Sequence, residues 1–218
     1  MWLRLAVATA ATMTMMSAQT LPWEVAPVVS FLRLSHKVIG SANGSSPQDD
    51  DTKLRGIQPG VGVRVTWNTK GYYGFEGSYL HSKARIRSKL LPLDGSSTTT
   101  TEEVGDIKQD QIFLNAICYF MPNGERFRPY VTAGAQVQKY SKPPLKDWPD
   151  AGSRPIGFNW GGGLKVQLAK HALVRIDVRD IWGGSPYDLQ FANGSADSIR
   201  SPGRFRSLEG SFGVGIRF

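Results

Sequence analysis

The sequence predicts an all-β chain: an eight-stranded antiparallel up-and-down transmembrane β-barrel, preceded by a signal peptide. Three observations carry this. Segments with large apolar residues on one parity and small or charged residues on the other recur eight times, the period of a two-faced strand. The connections between them alternate between short and long. Charges gather on one face of the segments and are nearly absent from the other.

The first nineteen residues read as a secretory signal. Arg4 supplies the positive start, and Leu5 to Met16 is an uncharged, largely apolar run too short to span a bilayer as a helix. Ser17 and Ala18 place cleavage near Ala18 or Gln19, and no stop-transfer pattern follows, which argues against a membrane anchor or a core helix. Residues 1–19 are therefore the expected signal peptide. Residues 20–218 are the expected barrel, one domain of about two hundred residues.

The eight segments follow in order. The first is Glu24–Leu34. The second, Gly56–Trp67, sets Val61, Val63, Val65 and Trp67 against Gly60, Gly62, Arg64 and Thr66. The third, Tyr72–Ala84, sets Tyr73, Phe75 and Tyr79 against Gly74, Glu76 and Ser78. The fourth, Lys108–Phe120, sets Ile112, Leu114, Ala116, Cys118 and Phe120 against Gln111 and Asn115. The fifth, Arg128–Tyr140, sets Val131, Ala133, Ala135 and Val137 against Thr132, Gly134, Gln136 and Gln138. The sixth, Gly157–Ala169, sets Phe158, Trp160, Leu164, Val166 and Leu168 against Asn159, Gly161, Gly163, Lys165 and Gln167. The seventh, Ala172–Trp182, sets Val174, Ile176, Val178 and Trp182 against Arg175, Asp177 and Arg179. The eighth, Leu208–Phe218, sets Leu208, Phe212, Val214, Ile216 and Phe218 against Glu209, Ser211, Gly213, Gly215 and Arg217. Each is longer than the usual globular strand and long enough for a tilted membrane strand.

Short connections fall at Asn68–Gly71, around Pro122-Asn123-Gly124, and at Lys170-His171; the Asn-Gly pair is a hairpin signal. Long polar connections fall at Ser35–Arg55, Arg85–Ile107, Ser141–Ile156 and Gly183–Gly203. Strict alternation suits a membrane barrel with short periplasmic turns and long outer loops. A soluble eight-stranded barrel would also alternate in parity, so composition must choose the inner face. Lipid resists charge by roughly 2–4 kcal/mol per midplane Arg or Lys. The charged face, with Arg64, Glu76, Lys165, Arg175, Asp177, Arg179, Glu209 and Arg217, is therefore expected inside. Aromatics near the strand ends predict two interfacial girdles: Trp23, Trp67, Tyr73, Phe120 and Phe218 on the turn side, and Phe158, Trp160 and Trp182 on the loop side.

Composition excludes other classes. Cys118 is the only cysteine, so an intramolecular disulfide and a cysteine metal cluster are both excluded. Outside the signal no segment reaches a helical membrane span. The formal charge of +8 is spread along the chain with no nucleic-acid motif, and attraction to anionic headgroups is its more natural use.

Pro129-Tyr130-Val131-Thr132-Ala133-Gly134, Gly161-Gly162-Gly163-Leu164-Lys165 and Val174–Asp180, followed by the Phe-terminated strand, resemble the eight-stranded outer-membrane β-barrel superfamily. That group includes the membrane domain of OmpA and the OmpX, OmpW and opacity-type proteins. The resemblance covers the whole mature chain. No peptidoglycan-binding domain follows Phe218, so a stand-alone barrel is expected. The resemblance implies the outer membrane of a Gram-negative bacterium. It also implies insertion by the barrel assembly machinery, for which Phe212, Val214, Ile216 and Phe218 are the expected signal. It does not imply one activity, because members differ in their loops.

The expected function is non-enzymatic: a structural or surface-interaction role, in adhesion or membrane integrity, with a charge-plugged lumen. The alternatives are a narrow pore for small solutes or hydrophobic molecules and, third, a lipid A-modifying enzyme. Hydrolytic chemistry needs a nucleophile and a base in hydrogen-bond reach. Of the three histidines, His171 sits in a turn and His36 starts a loop. His81 and Ser82 are adjacent strand residues and point to opposite faces. No catalytic residue, metal site or cofactor is expected. Asp49-Asp50-Asp51 could hold a divalent cation bridging lipopolysaccharide phosphates, though a solvated loop tip is favoured. Ser96–Thr101 reads as a polar low-complexity loop, and the sequons at Asn43 and Asn193 read as turns. Cys118 reads as a small hydrophobe. Eight strands leave a bore that side chains can fill, so the inward charges are expected to form ion pairs between neighbouring strands rather than line a water path. Within that pattern Asp177 is expected to pair part of the charge of Arg175 and Arg179, Glu209 is the expected second acceptor, and Glu76 is expected to take a cation from across the barrel or from Arg64. The expected partners are outer-membrane lipid, lipopolysaccharide and the assembly machinery, with no nucleic acid, and the chain is expected to be monomeric.

Overall fold

In the computed structural model, the described residues are 21–34, 38–40, 52–54, 57–90, 101–142, 154–184 and 205–218. The signal segment, His36, the sequons at Asn43 and Asn193, the Asp49–Asp51 run and residues 96–100 lie outside them. Among the described residues there are ten strands: β1 (Trp23–Leu34), β2 (Val38–Gly40), β3 (Thr52–Leu54), β4 (Ile57–Asn68), β5 (Tyr73–Leu90), β6 (Thr101–Tyr119), β7 (Phe127–Tyr140), β8 (Ile156–Ala169), β9 (Ala172–Gly183) and β10 (Phe205–Arg217).

Eight of them close a barrel in the ring order β1-β4-β5-β6-β7-β8-β9-β10, every pair antiparallel. The seam is β1 against β10, with Val25 opposite Ile216. It is tied at its end by reciprocal Trp23–Phe218 backbone hydrogen bonds of 3.0 Å. The seam and all three short turns share one rim.

Strand parity sets the faces. Trp67, Phe158 and Trp160 are more than 40 % exposed on the outer wall, and the charged residues of the opposite parity are buried inside. Trp67 stacks on Phe75 at one end, and Phe158 stacks on Trp182 at the other. The interior is not uniformly polar, however. Leu32, Leu80, Phe113 and Ile181 meet inside the outer half of the bore, and Ile117 packs with Tyr119 and Tyr130 in the turn-side half.

Two expected loops contain strand. β5 and β6 run on to Leu90 and Thr101, at 18 and 19 residues, beyond the expected ends at Ala84 and Lys108. Their inside–outside alternation continues unbroken above Tyr79 and Ile112, but its chemistry inverts: apolar Ala84 and Ile107 face inward, while Lys83, Arg85, Asp106 and Lys108 are exposed. The tall hairpin rises past β4, whose pairing with β5 ends at Gly60 opposite Ser82. The two extra strands sit there. β3 takes the free edge of β5, with Lys53 opposite Arg87, and β2 adds to β3. Covering a bare strand edge satisfies its backbone groups, so part of the expected first loop is ordered by its neighbour.

The Asn-Gly turn is longer than a two-residue hairpin, spanning residues 120–126 between β6 and β7. The Glu125 amide donates to the Pro122 carbonyl at 3.4 Å, and Gly124 has φ 108°, the left-handed region a side chain resists.

Candidate functional site

The inward charges meet in two layers. The main layer holds three guanidiniums and three carboxylates. Arg175 Nη1 donates to Glu76 Oε2 at 2.8 Å, and Arg179 Nη2 donates to Glu76 Oε1 at 2.5 Å. Thr66 Oγ1 adds a third bond to that carboxylate at 3.0 Å. β5 and β9 stand opposite each other in the ring of eight, so these pairs cross the full bore. Arg64 Nη2 donates to Glu209 Oε1 at 2.5 Å and to Ser211 Oγ at 2.8 Å, and its Nη1 lies 3.4 Å from Asp177 Oδ2. Arg175 also grips Asp177 through two bonds of 3.0 and 2.9 Å, while the Tyr130 hydroxyl donates to Asp177 and accepts from Arg175 Nη2 at 2.9 Å.

The second layer lies toward the turns. Lys165 donates to Glu24, and also to the Tyr119 hydroxyl at 2.8 Å. Arg217 Nε lies 3.3 Å from Glu24 Oε1, and its Nη2 donates to Asn123 Oδ1 at 2.5 Å. Asn123 comes from the long turn, folded under the bore. Arg128 completes the floor, with its guanidinium 3.6 Å from the Tyr119 ring centroid and Nη1 donating to Asn68 Oδ1 at 3.3 Å.

All eight expected lumen charges are buried in the bore, and all eight share these carboxylate contacts with one another or with Glu24. Arg64 joins the main layer from β4. Some pairs join neighbouring strands, Arg217 to Glu24 and Arg64 to Glu76 at 3.8 Å, and Glu76 meets cations from across the bore as expected, but Glu209 does not take the arginines of the adjoining strand. Glu209 sits beside Arg179 in register, yet it takes Arg64 from two strands away, while Arg179 crosses to Glu76. The reason is geometric: inward side chains in a narrow ring converge on the axis, and a guanidinium on a long stem meets the far wall there.

Glu24, Tyr119, Arg128 and Tyr130 belong to the site without having been singled out in the sequence. The signal was present: each shares the inward parity of its own segment. Close approach is also built in. Asn115 and Asn159 pair their amides across Gly134 at 2.8 and 3.0 Å, and a Cβ on Gly134 would stand 2.1 Å from the Leu114 carbonyl.

The other candidates separate. Ser82 faces inward and donates to Gln109 at 3.4 Å, whereas His81 faces outward with Nδ1 2.7 Å from Asp110 Oδ1. His171 stays in its turn, 3.0 Å from the Arg217 carbonyl. Cys118 is exposed on the outer wall. Phe212, Val214, Ile216 and Phe218 line the outer face of the seam, each at least half exposed. Among the described residues no group of His, Cys, Asp and Glu is arranged to hold a metal ion.

A family model described as the outer membrane protein beta-barrel domain matches residues 6–218. No curated protein matches the chain. Among solved structures, it is similar to the outer membrane protein OprG from Pseudomonas aeruginosa, with a TM-score of 0.65, 12 % identity, and coverage of 93 % of this chain and 98 % of that one. The outer membrane protein AlkL gives a TM-score of 0.54 at 12 % identity, covering 90 % of each chain. The E. coli Outer Membrane Protein W gives 0.47 at 19 % identity, covering 90 % of this chain and 97 % of that one. At such identities the likeness to OprG and AlkL shows the fold. Taken with a closed ring, an apolar outer wall and a charged bore, the family match over nearly the whole sequence establishes that this chain belongs to the outer membrane protein beta-barrel domain family and is a barrel of the Gram-negative outer membrane.

Proposed function

We propose that the chain is a non-enzymatic barrel with a closed lumen, whose working part is the ordered wall above the membrane. The observation that carries this is the β2-β3-β5-β6 extension: four strands of backbone pairing held beyond the apolar band, where a simple anchor needs only loops. A paired sheet presents side chains in fixed register, which suits contact with another surface. The bore beneath supports closure rather than conduction, because the charge layers and the Leu32, Leu80, Phe113 and Ile181 cluster succeed one another along it. The division of His81 and Ser82 between the two faces speaks against hydrolysis. Insertion by the barrel assembly machinery through the outer face of β10 belongs to the same proposal.

Two measurements on one strain test it. Purified protein in planar bilayers is expected to give no steady conductance. Cells carrying a barrel whose β5–β6 hairpin is cut back to the level of Arg85 and Asp106 are expected to lose adherence while the barrel keeps its heat-modifiable gel mobility. Conductance steps together with unchanged adherence would transfer the role to transport. That second reading draws on the apolar cluster in the outer half of the bore, which suits a hydrophobic solute.

A further inference from the structure

On the outer wall of β5, β6 and β7, register neighbours form rows across the strands. Tyr79, Ile112 and Val137 are register neighbours, all exposed and apolar-bodied, and form the last row of the lipid-facing band. The next row is His81, Asp110 and Lys139. Above it Lys83 stands directly opposite Lys108, both exposed, and then Arg85 opposite Asp106.

Here we propose that this face binds the phosphate groups of an anionic glycolipid of the outer leaflet, with its acyl chains against Tyr79, Ile112 and Val137. The inference rests on the membrane placement of the barrel and is independent of whether the lumen is closed.

Three observations favour it. First, directly opposed like charges destabilise a strand pair, yet Lys83 and Lys108 face each other with no ion pair for either among the described residues. The nearby carboxylates are engaged elsewhere. Asp106 is 3.3 Å from Arg85 Nε, and Asp110 lies 2.7 Å from both the Tyr79 hydroxyl and His81 Nδ1. Opposed Cβ atoms lie about 5 Å apart, a spacing from which two flexible ammonium groups can close on one phosphate.

Second, the depth is right. Twelve residues separate Phe120 on the turn-side rim from Lys108. At about 3.3 Å per residue and a tilt of about 40°, that is roughly 30 Å, just past an apolar band of about 25 Å. Third, the patch is local. On adjoining β4 the outward residues Val61, Pro59 and Ile57 stay apolar, and β8 begins with exposed Ile156 opposite Val137. Beyond β5–β7 the described strands turn only two basic residues outward at the loop-side end, Arg33 on β1 and Arg206 on β10, and Asp180 holds Arg206 at 2.6 Å, so the opposed lysines stand apart from a general collar.

The test uses the full barrel in detergent, with bisphosphorylated lipid A and its dephosphorylated form as probes and bound lipid counted by native mass spectrometry. Wild type is expected to prefer the phosphorylated lipid. That preference should fall about fivefold with Lys83→Gln or Lys108→Gln and about 25-fold with both. Lys70→Gln with Lys170→Gln makes the same charge change at the turn-side rim and should leave the preference unchanged. Heat-modifiable mobility reports folding of every variant, and the single substitutions carry the test if the double variant does not fold. Equal binding of the two lipids by wild type, or equal losses in both double variants, would overturn the site. Displacement of the lipid by inorganic phosphate at comparable concentration would also overturn it, by reducing it to a free-anion site.

Discussion

Replacing Glu76 by glutamine keeps the shape of the plug and removes the charge on which three arginines converge, Arg175 and Arg179 closely and Arg64 at 3.8 Å. In the wild type the main layer balances three guanidiniums against Glu76, Asp177 and Glu209. After the change Arg175 keeps Asp177 at 2.9 Å, but the remaining carboxylate contact of Arg179 is Asp177 Oδ1 at 3.9 Å. Unit charges about 4 Å apart at an effective dielectric near 20 attract by about 4 kcal/mol. Three such attractions vanish, offset by the several kcal/mol no longer needed to desolvate a carboxylate. The expected net loss is about 3–5 kcal/mol, the usual cost of stripping one partner from a buried pair. Urea unfolding in lipid vesicles, followed by tryptophan fluorescence, measures it. Adding Arg179→Gln restores two cations against two carboxylates and should recover at least about 1 kcal/mol relative to the single variant, because neighbours in one network are coupled. A Glu76→Gln loss below about 0.5 kcal/mol, or purely additive losses in the double variant, would refute the view that Glu76 neutralises the plug.

Two further outcomes are expected from the wall. Gly134→Ala should cost about 1–3 kcal/mol in the same unfolding assay, since its Cβ would press on the Leu114 carbonyl at 2.1 Å, whereas Gly77→Ala should stay within about 0.5 kcal/mol, its nearest neighbour being a Leu114 methyl at 3.9 Å. Leu114→Arg, on the lipid face near mid-band, should cost roughly 2–4 kcal/mol in vesicles and far less for the unfolded chain's partition in urea, read as a shifted midpoint.

The barrel was legible because lipid and bore impose opposite chemistry on alternate residues, so Val61, Val63, Val65 and Trp67 declare their side of the wall as soon as they are counted. The charged residues of the plug were legible for the same reason. Their partners were legible only for Glu76, expected to meet a cation from across the bore or from Arg64; elsewhere parity places a side chain on a face but says nothing of which far-wall residue it meets at the axis, and Glu24 answering Lys165 is a matter of shear and radius. The internal apolar cluster was hidden by a simple inside-is-polar rule. Phe113 and Ile117 share the parity of Gln111 and Asn115, and only packing against Leu80 or Tyr130 explains them. The tall β5–β6 hairpin was read as loop because its polarity inverts once it leaves lipid. Past the lipid the outer face meets water while Ala84 and Ile107 stay buried on the inner face, so lysines point out and the apolar rhythm runs in antiphase with the strand below.

The seam between β1 and β10 has a consequence for the order in which the molecule assembles. Seven of the eight barrel pairings join long strands that follow one another along the chain and can form as local hairpins; the eighth joins the two ends. Contacts between distant residues form late, since the chain must first give up the freedom of the intervening loop. The bonds from Arg64 to Glu209 and from Lys165 to Glu24 span 145 and 141 residues, so they become possible only as the ends approach. Until then those groups need water, and a curled but open sheet would strand them half-dehydrated. Partial closure is thereby disfavoured relative to either a hydrated open sheet or the finished ring. The charges that obstruct the bore thus also fix the moment at which the sheet loses its last free edge.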